Sequence, residues 1–289
     1  MCSMDGSKAW GAMTGPGTWN FDDRTAVYNA MAVETLANLW CSLQGIGLRD
    51  QTEQSWAATL YFDRLPHDAP DRALELALAV LASDADKRVK MQLGDKFMSA
   101  LIYNHAGRVI ERIEAEQATN PQLRWLLGAV HWWAPSRELK ARLARIADEA
   151  AWRVDEMARD TPAVRINLGA LGKSELARVW VEQHAKPDMD RDGNWYALME
   201  FERKLIERNP DAAIDLVLEI LRIETSPQLL SVLAAGLVED VISRDTIGRI
   251  EREAAADERF RDLLGWVWCS DHGAELRARV EAAARGQHC

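Results

Sequence analysis

Two segments of this chain have nearly the same sequence although almost half of the chain length separates them. Residues 123–133 read LRWLLGAVHWW, and residues 260–270 read FRDLLGWVWCS. Three further pairs of segments keep the same order at a nearly constant spacing. LANLWC at 36–41 matches LARVWV at 176–181, and PDRALELALAVL at 70–81 matches PDAAIDLVLEIL at 210–221. ELKARL at 138–143 matches ELRARV at 275–280. The matched order and spacing predict a tandem duplication of one unit.

A fifth pair of segments contains matched aromatic residues. Trp56 and Phe62 in SWAATLYF correspond to Trp195 and Phe201 in NWYALMEF, at nearly the same spacing as the other pairs. Solenoid repeats have periods of roughly 20–50 residues, so a much longer period predicts two small domains instead. The predicted organisation is a flexible N-terminus at 1–21, a first domain at 22–147, a partly helical bridge at 148–172 and a second domain at 173–289.

The hydrophobic pattern of both copies predicts an all-α fold. In ALELALAVLAS, Leu74, Leu78 and Leu81 recur at helical spacing and form one apolar face. Pro70 and Pro210 lie where a first helical turn tolerates the missing N–H, and residues 240–268 are predicted to form two helices with a break near Asp257. Almost no segment alternates apolar and polar residues as a strand does. We therefore expect about six helices in each copy, packed as a bundle or an irregular array.

The duplicated segment at 123–133 and 260–270 predicts core packing rather than a catalytic or cofactor-binding site, because tryptophans at helical spacing are typical of a hydrophobic core. Gly128 and Gly265 occupy matching positions and predict a close helix–helix approach in both copies. The residues expected on the buried face are Leu126, Leu127 and Val130 in the first copy, and Leu263, Leu264, Val267 and Trp268 in the second.

The second copy has an Ala-Gly turn, a Glu-Asp pair, an Arg-Phe-Arg segment and a Gly-x-Val-Trp end. These positions are Ala235, Gly236, Glu239, Asp240, Arg259, Phe260, Arg261, Gly265, Val267 and Trp268, with Trp180, Trp195 and Pro210 upstream. In this pattern residues 174–268 resemble a bacterial helical domain of unknown function, and residues 36–133 resemble a degraded second example. The resemblance implies a helical fold and no assigned activity. Opposite Glu239 and Asp240 the first copy has Ser99 and Ala100.

Composition narrows the classes of partner. The formal charge is −10 and the pI is near 5.2, which disfavours nucleic acid and is compatible with a protein partner of basic charge. The four cysteines, Cys2, Cys41, Cys269 and Cys289, are too scattered for a disulfide framework. Neither a signal peptide nor a membrane-spanning apolar run is apparent, so we expect a cytoplasmic protein that does not bind membranes.

One segment, DMDRDGNWYALME, has the spacing of a calcium-binding loop. The twelfth position of such a loop should be a glutamate, but it is Met199 here. The favoured interpretation is an acidic turn in which Asp192 or Asn194 caps the following helix, with a weak Ca²⁺ site as the alternative. The oxygen ligands of that alternative, followed by the glycine of the turn, are Asp188, Asp190, Asp192 and Gly193.

A zinc site is a weaker hypothesis. Cys269 and His272 have ligand-like spacing, and residues 288–289 read His-Cys. The first copy has Trp132 and Pro135 at the positions that match Cys269 and His272, so the spacing is not part of the duplicated unit.

The charged residues Glu239, Asp240, Arg249 and Glu251 are candidates for a protein-binding face. The alternative is a solvated helix face that is joined by ion pairs. From these features we expect a non-catalytic protein-binding protein, such as a toxin-neutralising partner or a defence-associated adaptor. A metal-dependent enzyme with a site between the copies, and an oligomeric scaffold, remain the alternatives.

Overall fold

The computed structural model describes residues 21–162, 164–268 and 272–286. Within these ranges every regular element is a helix and no strand occurs, which confirms the predicted all-α fold. None of the described helices is both long enough and apolar enough to cross a membrane. The predicted zinc ligands Cys269, His288 and Cys289, and nearly all of the N-terminus predicted to be flexible, lie outside the described residues.

The first copy is built from seven α-helices, α2 to α8, with one helix before it and one after it. The residue before α3, Thr52, forms a capping box with Ser55, and Pro70 and Pro121 open α4 and α7. The helices are α1 Phe21–Ala30, α2 Val33–Leu43, α3 Glu53–Asp68, α4 Pro70–Ala82, α5 Lys87–Gln92, α6 Ser99–Gln117, α7 Pro121–Val130, α8 Arg137–Ile146 and α9 Glu149–Asp160.

The second copy repeats this order. Pro210 and Pro227 open α12 and α13, and Asp257 caps α16 after the predicted break. The helices are α10 Lys173–Ala185, α11 Gly193–Arg208, α12 Pro210–Ile223, α13 Pro227–Leu233, α14 Glu239–Val241, α15 Ile247–Ala256, α16 Glu258–Leu264 and α17 Ala274–Ala284.

The helix bounds correct one part of the sequence comparison. Helices α3 and α11 are equally long, and each ends just before a proline that opens the next helix. Their last residues, Asp68 and Arg208, therefore correspond, and this register differs by one position from the register that the matched aromatic residues suggested. In the corrected register Phe62 corresponds to Glu202, so an aromatic residue of the first copy faces a carboxyl group in the second.

Both copies deviate from α-helical geometry at the same two places. Short π-helical segments, Leu93–Met98 and Ala234–Val238, precede α6 and α14. Helix α6 then has a non-helical residue at His105, whereas the second copy breaks completely between α14 and α15. Matching positions of the two copies lie closer together in the chain after this break than before it, so the second copy is shorter there.

Two ion pairs occur at equivalent positions in both copies. Arg142 donates to both carboxylate oxygens of Glu114 at 2.9 and 2.7 Å, and Arg279 does the same to Glu251 at 2.7 and 2.6 Å. In addition, Arg112 pairs with Glu75, as Arg249 pairs with Asp215 in the second copy. Paired side chains in the same geometry support the predicted duplication independently of the helices.

The chain forms two compact units. The first unit comprises the described residues of Asn20–Ala163 and Lys186–Gly193, and the second comprises those of Val164–Ala185 and Asn194–Cys289. Helix α9, which the sequence assigned to a bridge, belongs to the first unit because Trp152 joins its core and is only 2 % exposed. The predicted apolar face of α4 is buried there apart from Leu78, which is half-buried.

The matched glycines have different surroundings. A Cβ on Gly128 would lie 2.7 Å from the Asp148 carbonyl oxygen and 2.8 Å from the Trp152 Cβ, so α9 packs against this helix as closely as predicted. A Cβ on Gly265 would meet only the Asp262 carbonyl of its own turn, at 3.1 Å. The predicted close helix approach is therefore right for the first copy and wrong for the second.

Candidate functional site

The acidic turn at Asp188–Asp190 packs in the first unit, where its carboxylates pair with basic side chains. Among the described residues, no group of three or more His, Cys, Asp or Glu side chains is placed to hold a metal ion. The structure therefore does not bring the predicted calcium ligands together. Their ion pairs, at N–O distances of 2.8–3.9 Å, are Asp188 with Arg191 and Lys96, Asp190 with Arg88, and Asp192 with Lys186.

Two of the four residues predicted to bind a protein have partners within the second unit. Glu251 is held by Arg279 as described above, and Arg249 contacts Asp211 at 3.0 Å as well as Asp215. Although burial opposes the shift, the Asp215 interaction raises the pKa of Arg249, and Arg279 lowers the pKa of Glu251. Because the first copy has the same pairs, these contacts fit the alternative of a helix face joined by ion pairs.

A third predicted residue, Asp240, lies beside a carboxyl group that the sequence analysis missed. Glu202 on α11 is only 9 % exposed, and its Oε1 atom makes no hydrogen bond within the described residues. The indole of Trp180 lies close to this carboxyl group and is 1 % exposed, yet its N–H also makes no hydrogen bond of ordinary geometry. Two polar groups are thus buried together without the partners that buried polar groups normally have.

Burial governs the charge of this cluster. Loss of water raises the pKa of Glu202 to about 8, the nearby Trp180 N–H opposes this shift, and Asp240 adds to it. Partial desolvation also raises the pKa of Asp240, which nevertheless reaches the surface, and the neighbouring His272 opposes that shift. At neutral pH Glu202 therefore carries a proton and is uncharged. The cluster thus consists of a buried neutral acid, Glu202, and an exposed acid, Asp240.

The first copy has no equivalent cluster. At the positions of Glu202 and Asp240 it has Phe62 and Ala100, and Phe62 is fully packed in the core of the first unit. The signal that would have revealed Glu202 is a charged residue at a repeat position that the other copy fills with an aromatic ring. The alignment of the matched aromatic residues hid that signal, because it placed Phe201 opposite Phe62.

A groove of about 380 Å³ lies between α16 and α17 in the second unit. Helix α16 ends at Leu264, so Val267 and Trp268 do not continue its buried face, contrary to prediction. Both are half-buried and line the groove instead, and the neighbouring Trp266 is 44 % exposed. The predicted core packing of this segment is therefore right for Leu263 and Leu264 but wrong for Val267 and Trp268.

Comparison with known proteins identifies the repeated unit. The model of a family of unknown function (DUF6869) matches residues 44–151 and, a second time, residues 182–288. The two matches cover more than half of the chain and agree with the duplication that the sequence and the helices show. No curated protein and no solved structure matches the chain.

Proposed function

Since the chain belongs to this family of unknown function through both of its copies, we propose that its second copy binds an amphipathic helix of another protein. The binding surface is the groove between α16 and α17 together with the exposed face around Gly265. The single observation that carries the proposal is that the first copy covers the equivalent surface with its own helix, α9. Binding of a helix in an apolar groove is a common mode of protein recognition.

The first copy shows how such a helix is held. Helix α9 crosses α7 at Gly128, and Trp152 stacks against Trp125 with ring centroids 4.9 Å apart. The Trp125 indole N–H donates to Asp155 at 2.9 Å, and the Asp148 backbone N–H donates to a carbonyl of α7 at 2.8 Å. One glycine, one aromatic residue and two hydrogen bonds therefore fix the helix.

The second copy keeps the glycine of this surface but has Asp262 at the position of Trp125, and no helix of the described residues covers it. Gly265 corresponds to Gly128 in the duplicated segment, and α17 ends at Ala284, as α8 ends shortly before α9. Next comes Gly286, whose positive φ of 68° turns the chain at the position where α9 begins in the first copy. The face around Gly265 remains exposed, with the large apolar side chain of Trp266 beside it.

The groove specifies the chemistry of the helix that it accepts. Arg277 and Arg285 are exposed along it with one acidic residue, Glu281, which pairs with Arg285 at 3.9 Å, so the lining has one net positive charge and favours a helix with acidic residues. The local charge thus differs from the overall charge of −10, which is compatible with a basic partner. Ala234 replaces Gly94, which the Trp152 ring contacts in the first copy, and Ala234 is already completely buried in the second unit, so the surface there is shallower and an aliphatic residue fits better than tryptophan.

The test is binding of a labelled helical peptide to the full chain, measured by fluorescence anisotropy. The peptide has the sequence of residues 148–161 with Trp152→Leu. We expect saturable binding that weakens at least tenfold in the double variant Arg277→Glu with Arg285→Glu and is lost in Gly265→Arg. Arg145→Glu, an exposed arginine of the first copy, is the control and should bind normally.

Absence of binding, or binding that survives both groove changes, would overturn the proposal. Light scattering provides a second test of the groove. If the protein forms a dimer and Gly265→Arg dissociates it, the groove binds another molecule of the same protein. That result would also contradict the proposal of a foreign helix.

A further inference from the structure

The carboxyl cluster of the second unit is unexplained by folding. The first copy builds a helix of the same length with Phe62 at the position of Glu202, so a carboxyl group is not required for the fold at this position. Burial of a carboxyl oxygen that makes no hydrogen bond destabilises the folded state, since that oxygen loses water without full compensation. Such a group in a native structure calls for a specific role.

We propose that Glu202 and Asp240 form a binding site for an organic cation, that is, an ammonium or guanidinium group. This site is separate from the proposed helix-binding groove and does not depend on it. Asp240 is exposed to solvent and interacts electrostatically with Glu202, whose buried Oε1 atom makes no hydrogen bond within the described residues.

The chemistry of the cluster selects this class of ligand. An anion would be repelled by Asp240, and a metal ion would need a third donor that the described residues do not supply here. An ammonium or guanidinium group instead donates several hydrogen bonds, and its bonds to a carboxylate are charge-assisted. Once Glu202 is ionised by such a ligand, its carboxylate is also a stronger acceptor for the nearby Trp180 N–H, which makes no hydrogen bond of ordinary geometry in the free protein.

The site predicts that binding and proton release are linked. Because the pKa of Glu202 is about 8, the group is protonated in about nine molecules out of ten at pH 7. A bound cation stabilises the ionised form, so the proton leaves to solvent as the ligand enters. We therefore expect the release of nearly one proton for each cation bound at pH 7, and of far fewer at pH 9.

The experiment is titration calorimetry of the full chain with methylguanidinium chloride and with butylammonium chloride, in buffers of different ionisation enthalpy. Potassium chloride at equal concentration controls for ionic strength. We expect saturable binding with proton release, loss of binding in Glu202→Gln, and at least tenfold weaker binding in Asp240→Asn. Glu239→Gln, which changes the adjacent acidic residue, is the matched control and should bind normally.

Three results would overturn the proposal, namely no saturable heat with either cation, unchanged binding by Glu202→Gln, or binding without proton release. Glu202→Gln keeps the shape and the neutral state of the buried group, and circular dichroism of each variant establishes that it is folded. Failure here leaves the peptide experiment on the groove unaffected, so the two proposals are decided separately.

Discussion

The two copies fold alike but differ in chemistry at one internal position of the corresponding helices α3 and α11. The first copy places Phe62 in its core, and the second places Glu202 at the same point of α11. An aromatic ring in a core contributes favourable burial, whereas a buried carboxyl group must remain protonated to be tolerated. The comparison teaches that the helical framework tolerates either an aromatic ring or a protonated carboxyl group at this point, which leaves the second copy free to carry a polar group.

A second contrast concerns the outer face of α7 and of its counterpart α16. In the first unit this face is covered by α9, whereas around Gly265 it is exposed. The first unit therefore has a completed core, and the second retains an open surface. These two differences indicate that the first copy completes its own core, whereas the candidate binding sites lie in the second copy.

The largest expected effect comes from removing the aromatic residue that completes the first unit. Trp152→Ala should lower the free energy of unfolding by about 3–5 kcal/mol, because the side chain is almost completely buried and leaves a cavity. Trp266→Ala in the second copy should change it by less than about 0.5 kcal/mol, since that side chain is exposed. Urea denaturation measures both, and equal effects would contradict the contrast between the copies.

The next effect is a dependence of stability on pH. The pKa of Glu202 is about 8 in the folded chain against an ordinary 4.5, so the folded state binds the proton more tightly. This stabilisation is complete below pH 4.5 and is lost as the pH rises through 8, at about 1.4 kcal/mol per pH unit between these values. By pH 7 the loss amounts to about 3 kcal/mol.

Glu202→Gln isolates this contribution, because glutamine does not titrate. Urea denaturation between pH 5 and pH 8 should show a smaller fall in stability with rising pH for the variant than for the wild type. Parallel curves would show that Glu202 is ionised in the folded chain at neutral pH and would remove the proposed proton release.

A smaller effect is expected at the matched glycines. Gly128→Ala should destabilise the chain by about 1–3 kcal/mol, because the new Cβ would press on the backbone at Asp148. Gly265→Ala should stay within about 0.5 kcal/mol of the wild type, since nothing outside its own turn lies within reach. Thermal melting of the two variants side by side is sufficient, and a large loss at Gly265 would show that its face is covered.

The smallest effect is expected where the copies agree. Glu114→Gln and Glu251→Gln each remove one carboxylate from the repeated arginine pair, whose side chains are partly exposed in both copies. Solvent screening keeps such pairs weak, so we expect small and equal shifts of the urea midpoint. A clearly larger shift for Glu251→Gln would show that this pair contributes more in the second copy than in the first.

Much of the fold could be read from the sequence because its signals are local. Hydrophobic spacing, the prolines at first turns and the break before α16 all depend on residues close together in the chain, and each was predicted correctly. The duplication was visible because matched segments keep their order. The candidate site was only half visible, since Asp240 was singled out by the resemblance while Glu202 was misaligned by one position.

The sequence by itself determined the helical class, the two copies and most of the residues that fill their cores, since these follow from periodicity along the chain. Only the tertiary structure decided that Glu202 is buried within electrostatic reach of Asp240, that α9 covers Gly128, and that Trp266 and Trp268 are not in a core. The physical reason is that burial and partnership depend on which helices pack together, and neighbours from distant parts of the chain are not encoded in local spacing.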